Sequence, residues 1–170
     1  MMKAIEQKVM DFIEKQHILV GAETVVLALS GGSDSMALGH LIVECYPQYR
    51  YVAAHVHHGL RGEEADRDAA FAESLCRKLA VPFRLRHAPV RELARREGLS
   101  LEEAGRILRY QILREESNGG KIAVAPHRDD QSETLLFHMV RGTGIRGLAG
   151  MLPEKDGIIR PLLCVSRAEI

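Results

Sequence analysis

The amino-acid sequence predicts an α/β protein with a doubly wound, mainly parallel five-stranded sheet and helices on both faces. Short β-rich apolar runs alternate with longer segments of helical periodicity, which is typical of a parallel sheet covered on both sides. Hydrophobic residues make up 46% of the 170 residues, enough for one domain with a substantial core. We therefore interpret residues 1–170 as a single domain.

Each element is predicted from local patterning. Helices are expected at 2–16, 33–45, 65–79, 90–97, 100–116 and 129–141, and strands at 24–29, 51–56, 83–85, 121–125 and 157–163. Ser100 and Glu103 form a capping box at the start of the fifth helix. A glycine-rich loop is expected at 142–150. A second capping box, Ser166 with Glu169, predicts a further helix start and suggests that the chain is part of a longer protein.

Composition excludes several classes of protein. The sequence contains no run of 18 apolar residues, which a membrane span would need, and its N-terminus lacks the apolar core of a signal peptide. The three cysteines are too far apart for a CxxC pair or a disulfide framework. We therefore expect a cytoplasmic protein without a membrane partner.

Formal net charge is zero, but cations are concentrated in the middle of the chain. Residues 77–114 contain only four glutamates but ten cations, which are Arg77, Lys78, Arg84, Arg86, Arg91, Arg95, Arg96, Arg106, Arg109 and Arg114. They are interpreted either as a solvated helical face with Glu–Arg pairs or as a surface for nucleic-acid phosphates.

A glycine turn follows the first predicted strand and precedes a helix. It consists of Ser30, Gly31, Gly32, Ser33, Asp34 and Ser35. Glycines allow a sharp turn and let the backbone approach a ligand closely. The helix start offers free N–H groups to an anion. Ligands of open parallel sheets bind beyond the carboxyl ends of the strands. The turn therefore predicts a phosphate site, although its residues could also simply cap a helix.

Asp34 and the absence of a nearby lysine indicate which phosphate site this is. Neither the GxxxxGK[ST] nor the GxGxxG pattern is present at the turn. A carboxylate beside phosphates repels them unless a cation intervenes, so Asp34 is predicted to hold Mg²⁺.

Six ordered segments resemble a known family. Residues 30–35 are similar to the SGGxDS loop of ATP pyrophosphatases, the PP-loop superfamily. Residues 55–61, 102–110, 127–134, 141–151 and 160–163 are similar to the HVNHGLR, EExARxxRY, HHxDDQxET, RGxGxxGLxGM and RPLL segments of tRNA(Ile)-lysidine synthetases. Two positions depart from this pattern: Pro126 replaces the first histidine of the usual pair, and Gly105 stands where alanine is common.

The resemblance implies an adenine nucleotide alpha hydrolase-like, Rossmann-like fold and a ligase that forms a carbon–nitrogen bond. The substrates would be ATP, L-lysine and the isoleucine tRNA with a CAU anticodon, with Mg²⁺ as cofactor. Residues 1–170 would be the N-terminal PP-loop catalytic domain, without the C-terminal tRNA-binding domains of the family. A homodimer is left open.

The resemblance also implies site residues. Asp130 and Glu133 share a helix face and would bind the ammonium groups of lysine or help to hold Mg²⁺. Arg106 would stabilise phosphate charge or orient Glu133. His55 would contact the nucleotide. Together with Asp34, the predicted catalytic residues are Arg106, Asp130 and Glu133.

Three other functions remain open. His55, His57, His58 and His127 contain suitable ligand types for zinc or a two-metal hydrolase. Another ATP pyrophosphatase, such as a tRNA thiolase, would share the glycine turn. A nucleotide-binding module without catalysis is compatible with Pro126.

Overall fold

The computed structural model describes residues 4–60, 62–142 and 150–170. Its helices are Ala4–Lys15 (α1), Ser33–Cys45 (α2), Glu63–Lys78 (α3), Val90–Glu97 (α4), Leu101–Ser117 (α5) and Arg128–Val140 (α6). Its strands are Thr24–Ala28 (β1), Arg50–His57 (β2), Phe83–His87 (β3), Lys121–Ala123 (β4), Glu154–Lys155 (β5) and Ile158–Ile159 (β6), followed by a 3₁₀ helix at Pro161–Cys164. Most of the predicted glycine-rich loop, residues 143–149, lies outside the described residues.

The strands form one sheet in the order β3-β2-β1-β4-β6-β5. All neighbouring pairs are parallel except β5 with β6, so the predicted α/β class and mainly parallel sheet are confirmed. The pairing of β1 with β4 places the ends of these two strands side by side at the carboxyl edge of the sheet.

The last strand differs from its prediction. Residues 157–163 were expected as one strand, but only Ile158–Ile159 pairs with β4, and the short strand β5 adds a sixth. Asp156 and Gly157 have φ angles of 53° and 76° and form the two-residue turn between β5 and β6, a turn that requires left-handed backbone. Pro161 has no N–H for a sheet ladder and begins the 3₁₀ helix instead.

The predicted capping box at the end of the chain is present without its helix. The Ser166 hydroxyl donates to a Glu169 carboxylate oxygen over 2.8 Å. However, the backbone of residues 166–169 forms a turn, with Glu169 N–H donating to Ser166 O. The capping contacts therefore order the chain up to Ile170 but start no helix among the described residues.

Alternate residues of the central strands point to two separate cores. Val25 and Leu27 belong to a large cluster with side chains of α1, α2 and α3. Val26 belongs to a cluster on the opposite face with Leu113 of α5, and a neighbouring cluster joins α4 to α5. The period-2 alternation of β1 thus buries both faces of the sheet, as expected for a doubly wound fold.

Helix α6 lies at the margin of these cores. None of its residues is buried, and its exposed apolar side chains are Leu136, Phe137, Met139 and Val140. Its first turn contacts the C-terminal segment, where Arg128 N–H donates to Val165 O over 2.8 Å. None of the described helices, α6 included, has the length and hydropathy needed to cross a membrane.

Helix α3 presses directly on the glycine turn. Gly31 has a φ of +86°, and a Cβ there would lie 2.5 Å from Cβ of Asp68 and 2.8 Å from its Cα and O. At Gly31 the backbone approaches α3, and the predicted close approach to a ligand stays a prediction. Gly32 has a φ of −74°, and a Cβ there would meet only the Ser30 hydroxyl, at 3.5 Å. Gly31 fixes the turn against the fold, whereas Gly32 has space beside it.

We predict that Gly105→Ala stabilises the protein. Gly105 lies inside α5, and a Cβ there would meet the His58 ring at 3.5 to 3.6 Å, an ordinary contact distance. Replacing a helix-interior glycine with alanine in an unstrained position contributes about 0.5–1 kcal/mol. Urea unfolding should show this increase in the free energy of unfolding. Gly98→Ala, at a C-cap with φ of 67°, is the contrasting variant and should be less stable than the wild type.

We predict the opposite effect for Gly31→Ala. The left-handed conformation alone costs an alanine about 1–2 kcal/mol, and the contact with the Asp68 backbone adds to this cost. Thermal unfolding should show a clearly lowered Tm, whereas Gly32→Ala should unfold close to the wild type. Equal stability of the two alanine variants would contradict the packing described for Gly31.

Candidate active site

The turn between β1 and α2 ends in a helix start without a side-chain cap. Gly32 is the N-cap residue and supplies no side-chain hydrogen bond to the first turn of α2. Because the first N–H groups of any helix lack carbonyl partners within the helix, those of α2 remain available to an anion. The turn therefore has the backbone geometry of an anion site at the carboxyl end of β1.

Serine hydroxyls hold the shape of this turn. The buried Ser35 hydroxyl accepts from Ser30 N–H over 3.1 Å and donates to Gly32 O over 2.9 Å. The hydroxyl oxygens of Ser30 and Ser35 are 3.0 Å apart. The Ser33 hydroxyl donates to an Asp34 carboxylate oxygen over 3.0 Å. The structure thus gives all three serines contacts within the turn itself.

His127 connects the turn to helix α6. It is 5% exposed and directly precedes α6. The ring Nδ1 of His127 accepts from the backbone N–H of Asp130 over 3.4 Å. The backbone N–H of His127 donates to the Asp130 carboxylate over 2.8 Å. The ring Nδ1 also lies 3.2 Å from Oδ2 of Asp130, and Nε2 lies 3.7 Å from Oδ2 of Asp34. His127 thus stands between two carboxylates that the sequence analysis had assigned to the site.

Sequence reasoning missed His127 as a member of this cluster. It considered this residue only as a metal ligand or a structural histidine. The available signal was its position a few residues after the strand that pairs with β1. Arg167 was missed as well: its Nη1 lies 4.0 Å from Oδ2 of Asp34, and its N–H donates to Asp129 over 3.0 Å. No local pattern around Arg167 indicated this contact, because it depends on how the C-terminal segment folds back on α6.

The two predicted carboxylates of α6 have different surroundings. The Asp130 carboxylate accepts from the backbone N–H of His127 and thereby caps α6, and 42% of the Asp130 side chain is exposed. Glu133 is exposed, and within the described part of the chain no hydrogen bond or ion pair is found for its carboxylate. Asp130 is thus fixed in place, whereas Glu133 is available to a ligand.

Arg106 is not brought to Glu133. Among residues 4–60, 62–142 and 150–170, no ion pair joins these two side chains. Arg106 is an exposed residue of α5, close enough to Arg160 to help lower the pKa of that guanidinium, although burial is the larger cause.

His55 is buried beneath the turn. Its Nδ1 donates to Leu29 O over 2.8 Å, which joins the middle of β2 to the residue after β1. Burial lowers the pKa of His55 below its usual value, and the hydrogen bond to Leu29 opposes this shift only in part. The imidazole is therefore neutral at pH 7, and its predicted contact with a nucleotide stays a prediction.

The other two histidines of this segment have separate surroundings. His57 Nε2 lies 3.1 Å from the Asp66 carboxylate, and its Nδ1 accepts from Gly59 N–H over 3.2 Å. Burial and nearby Arg109 lower the pKa of His58, whose Nδ1 is buried and has no hydrogen-bond partner among the residues that the structure describes. The described residues contain no group of three or more His, Cys, Asp or Glu side chains placed to hold a metal ion. The zinc alternative therefore gains no support from their geometry.

Two curated relatives of this chain carry the same name. The chain is 43% identical over 169 residues to tRNA(Ile)-lysidine synthase of Bacteroides thetaiotaomicron, covering 98% of the chain and 39% of that protein. It is 45% identical over 162 residues to tRNA(Ile)-lysidine synthase of Parabacteroides distasonis, covering 94% and 36%. The chain thus spans less than two fifths of the length of these relatives.

Solved structures share the fold at lower sequence identity. A U34-tRNA thiolase of Methanococcus maripaludis with a [4Fe-4S] cluster superposes with a TM-score of 0.71 at 21% identity, over 93% of this chain and 59% of that one. The NH₃-dependent NAD synthetase of Campylobacter jejuni superposes with a TM-score of 0.65 at 19% identity, over 99% and 71%. At such identities the likeness concerns the fold alone.

One family description agrees with the uncapped turn after β1, with the parallel sheet around it and with the ordered segments along the chain. The model of the PP-loop domain matches residues 1–170. The chain therefore belongs to the PP-loop domain family.

Proposed function

We propose that this chain is the ATP-binding catalytic domain of a tRNA(Ile)-lysidine synthetase. The enzyme would ligate lysine to C2 of the wobble cytidine in the isoleucine tRNA with a CAU anticodon, through an adenylylated tRNA, with release of pyrophosphate and AMP. The observation that carries the proposal is the uncapped start of α2, set beside the cluster of Asp34, His127 and Asp130. The curated relatives that share nearly the whole chain support the same activity.

ATP would bind with its β- and γ-phosphates at the turn of residues 30–35. The free N–H groups at the start of α2 supply donors and a partial positive charge. Gly32 leaves room beside them, and the contacts of Ser35 fix the backbone before the ligand arrives. A turn that is already ordered binds at a lower entropic cost.

Asp34 would hold Mg²⁺ beside these phosphates. Protein sites for Mg²⁺ commonly supply one or two carboxylates while phosphates and waters complete the coordination, so a single carboxylate at the helix start fits this ion. The Asp34 side chain is 25% exposed and remains accessible to a ligand. The ion would neutralise the negative charge of the triphosphate.

The carboxylates of α6 would bind the ammonium groups of lysine. Glu133 is exposed and lacks a cationic partner in the described structure, while His127 holds Asp130 in a fixed position. Arg106 would stabilise negative charge on phosphate, since it is exposed and forms no ion pair with a carboxylate among the described residues.

The reaction would proceed in two displacements. The C2 carbonyl oxygen of the cytidine attacks the α-phosphorus of ATP, and pyrophosphate leaves. The lysine amine then attacks C2, loses a proton, and AMP departs with the oxygen. The protein contributes positioning and charge stabilisation, and the target base must be splayed out of the anticodon loop. Arg91, Arg95 and Arg96 of α4 are candidates for contacts with tRNA phosphates.

Other activities of the PP-loop fold are less well supported. The three cysteines are Cys45 at the end of α2, Cys76 in α3 and Cys164 in the 3₁₀ helix, and all are free. They form no metal-binding group with other described residues, whereas the thiolase neighbour carries a [4Fe-4S] cluster. Lysine ligation therefore remains the best-supported reaction.

We predict that Asp34→Asn weakens Mg²⁺-dependent ATP binding. Isothermal titration of the wild type should show tighter ATP binding with Mg²⁺ than with EDTA. The variant should lose most of this difference, about tenfold in Kd, because a charged ligand of the ion is gone. Asp156→Asn is the matched control, since Asp156 lies in the β5–β6 turn at the opposite edge of the sheet. An unchanged Mg²⁺ dependence in Asp34→Asn would remove Asp34 from its assigned role.

We predict that Asp130→Asn abolishes lysine-dependent AMP formation. An asparagine oxygen keeps the cap on the His127 N–H, so the helix should remain folded while the negative charge is lost. The assay incubates the full-length protein with ATP, bulk tRNA and labelled lysine. Asp129→Asn, one residue away, should retain activity. Full lysine incorporation by Asp130→Asn would refute the role given to this carboxylate.

A further inference from the structure

Arg160 is a partly buried cation without an anionic partner. It follows β6 at the carboxyl edge of the sheet, where its N–H donates to Pro153 O over 2.8 Å. Its Nη1 donates to Leu152 O over 2.9 Å. No carboxylate within the described ranges lies at ion-pair distance from its guanidinium. A guanidinium has five N–H donors, so the carbonyl contact leaves most of them unused.

The surroundings of Arg160 increase the cost of its charge. Burial is the main cause that lowers its pKa, Tyr110 raises the pKa, and Arg106 makes the smallest contribution and lowers it. Taking a charge out of water is unfavourable unless it is paired. An anion bound to the guanidinium would offset this cost.

The position of Arg160 connects it to the carboxylates of α6. The Gln131 side chain accepts from Met151 N–H over 2.6 Å and donates to Met151 O over 3.0 Å. The next residue, Leu152, accepts from Arg160. A short bonded path therefore joins the first turns of α6, which carry Asp130 and Glu133, to Arg160. Positive and negative groups lie on neighbouring elements without neutralising each other.

This separation of charge fits a zwitterion. A free amino acid presents an ammonium group and a carboxylate a few bonds apart, and a guanidinium matches a carboxylate with two parallel hydrogen bonds. We infer that the Arg160 guanidinium forms an oxyanion subsite that binds the α-carboxylate of the amino acid substrate. This inference rests on the proposed function for the identity of the ligand. Phosphate has the same oxyanion chemistry, and the experiment distinguishes the two sources.

The test compares lysine with lysinamide, which keeps both amines but lacks the carboxylate. Binding of each compound, and of inorganic pyrophosphate, is measured by isothermal titration with the wild type and Arg160→Gln in the presence of ATP analogue and Mg²⁺. The wild type should prefer lysine over lysinamide by about tenfold or more, and Arg160→Gln should lose this preference. If Arg160 had a purely structural role, Arg160→Gln would weaken the binding of lysine and of lysinamide equally. Arg160→Lys, which keeps the charge without the fork, should show a reduced preference.

Arg50→Gln is the matched control. This substitution removes a guanidinium from the exposed start of β2, at the opposite edge of the sheet. The variant should bind lysine, lysinamide and pyrophosphate as the wild type does. Thermal unfolding of each variant verifies folding. A loss of pyrophosphate affinity in Arg160→Gln, with the lysine preference intact, would assign the oxyanion subsite to phosphate and reject the carboxylate.

The inference is wrong if the wild type binds neither lysine nor pyrophosphate, or if folded Arg160→Gln binds both as the wild type does. Failure of the proposed function has a different signature. In that case ATP would not bind at the turn of residues 30–35, while the discrimination between lysine and lysinamide would still depend on Arg160.

Discussion

The parallel pairing of β1 with β4 is the constraint on which the candidate site depends. Val25 pairs with Lys121 and Leu27 with Ala123, so both strands end at the same edge of the sheet. Their continuations, the glycine turn after β1 and His127 after β4, are therefore neighbours although about a hundred residues separate them in sequence. The contact of His127 with Asp34 and Asp130 is a direct consequence of this register. A different strand order would separate the glycine turn from the carboxylates of α6.

Folding also fixes the turn before any ligand binds. Asp68 of α3 limits the position of Gly31, and the Ser35 hydroxyl bonds to the backbone on both sides of the turn. The backbone N–H groups at the start of α2 are thereby held in one orientation by contacts that do not use them. Such pre-organisation is what electrostatic stabilisation of a charged transition state requires, since little reorganisation remains at the moment of reaction.

Sequence patterning predicted the parts of the fold that depend on local signals. Alternation of strands and helices gave the layered α/β arrangement, and the Ser100 capping box begins α5 as expected. The β5–β6 hairpin was missed although Asp156-Gly157 is a strong turn signal, because Glu154–Lys155 has no apolar alternation. At the site, His127 could have been found from strand order. Arg167 could not, since its contact arises from the tertiary path of residues 160–170.

Charge separation at the carboxyl edge is the feature that a substrate must explain. Glu133 and Arg160 could have neutralised each other on neighbouring elements, yet among the described residues neither has an ionic partner. Hydrogen bonds to backbone carbonyls hold Arg160 and the Met151 segment in place, so this separation is built into the fold. A ligand with one charge of each sign would satisfy both groups at once, whereas a simple anion would satisfy only Arg160. Discrimination between these ligands therefore depends on the rigidity of the backbone between α6 and β6.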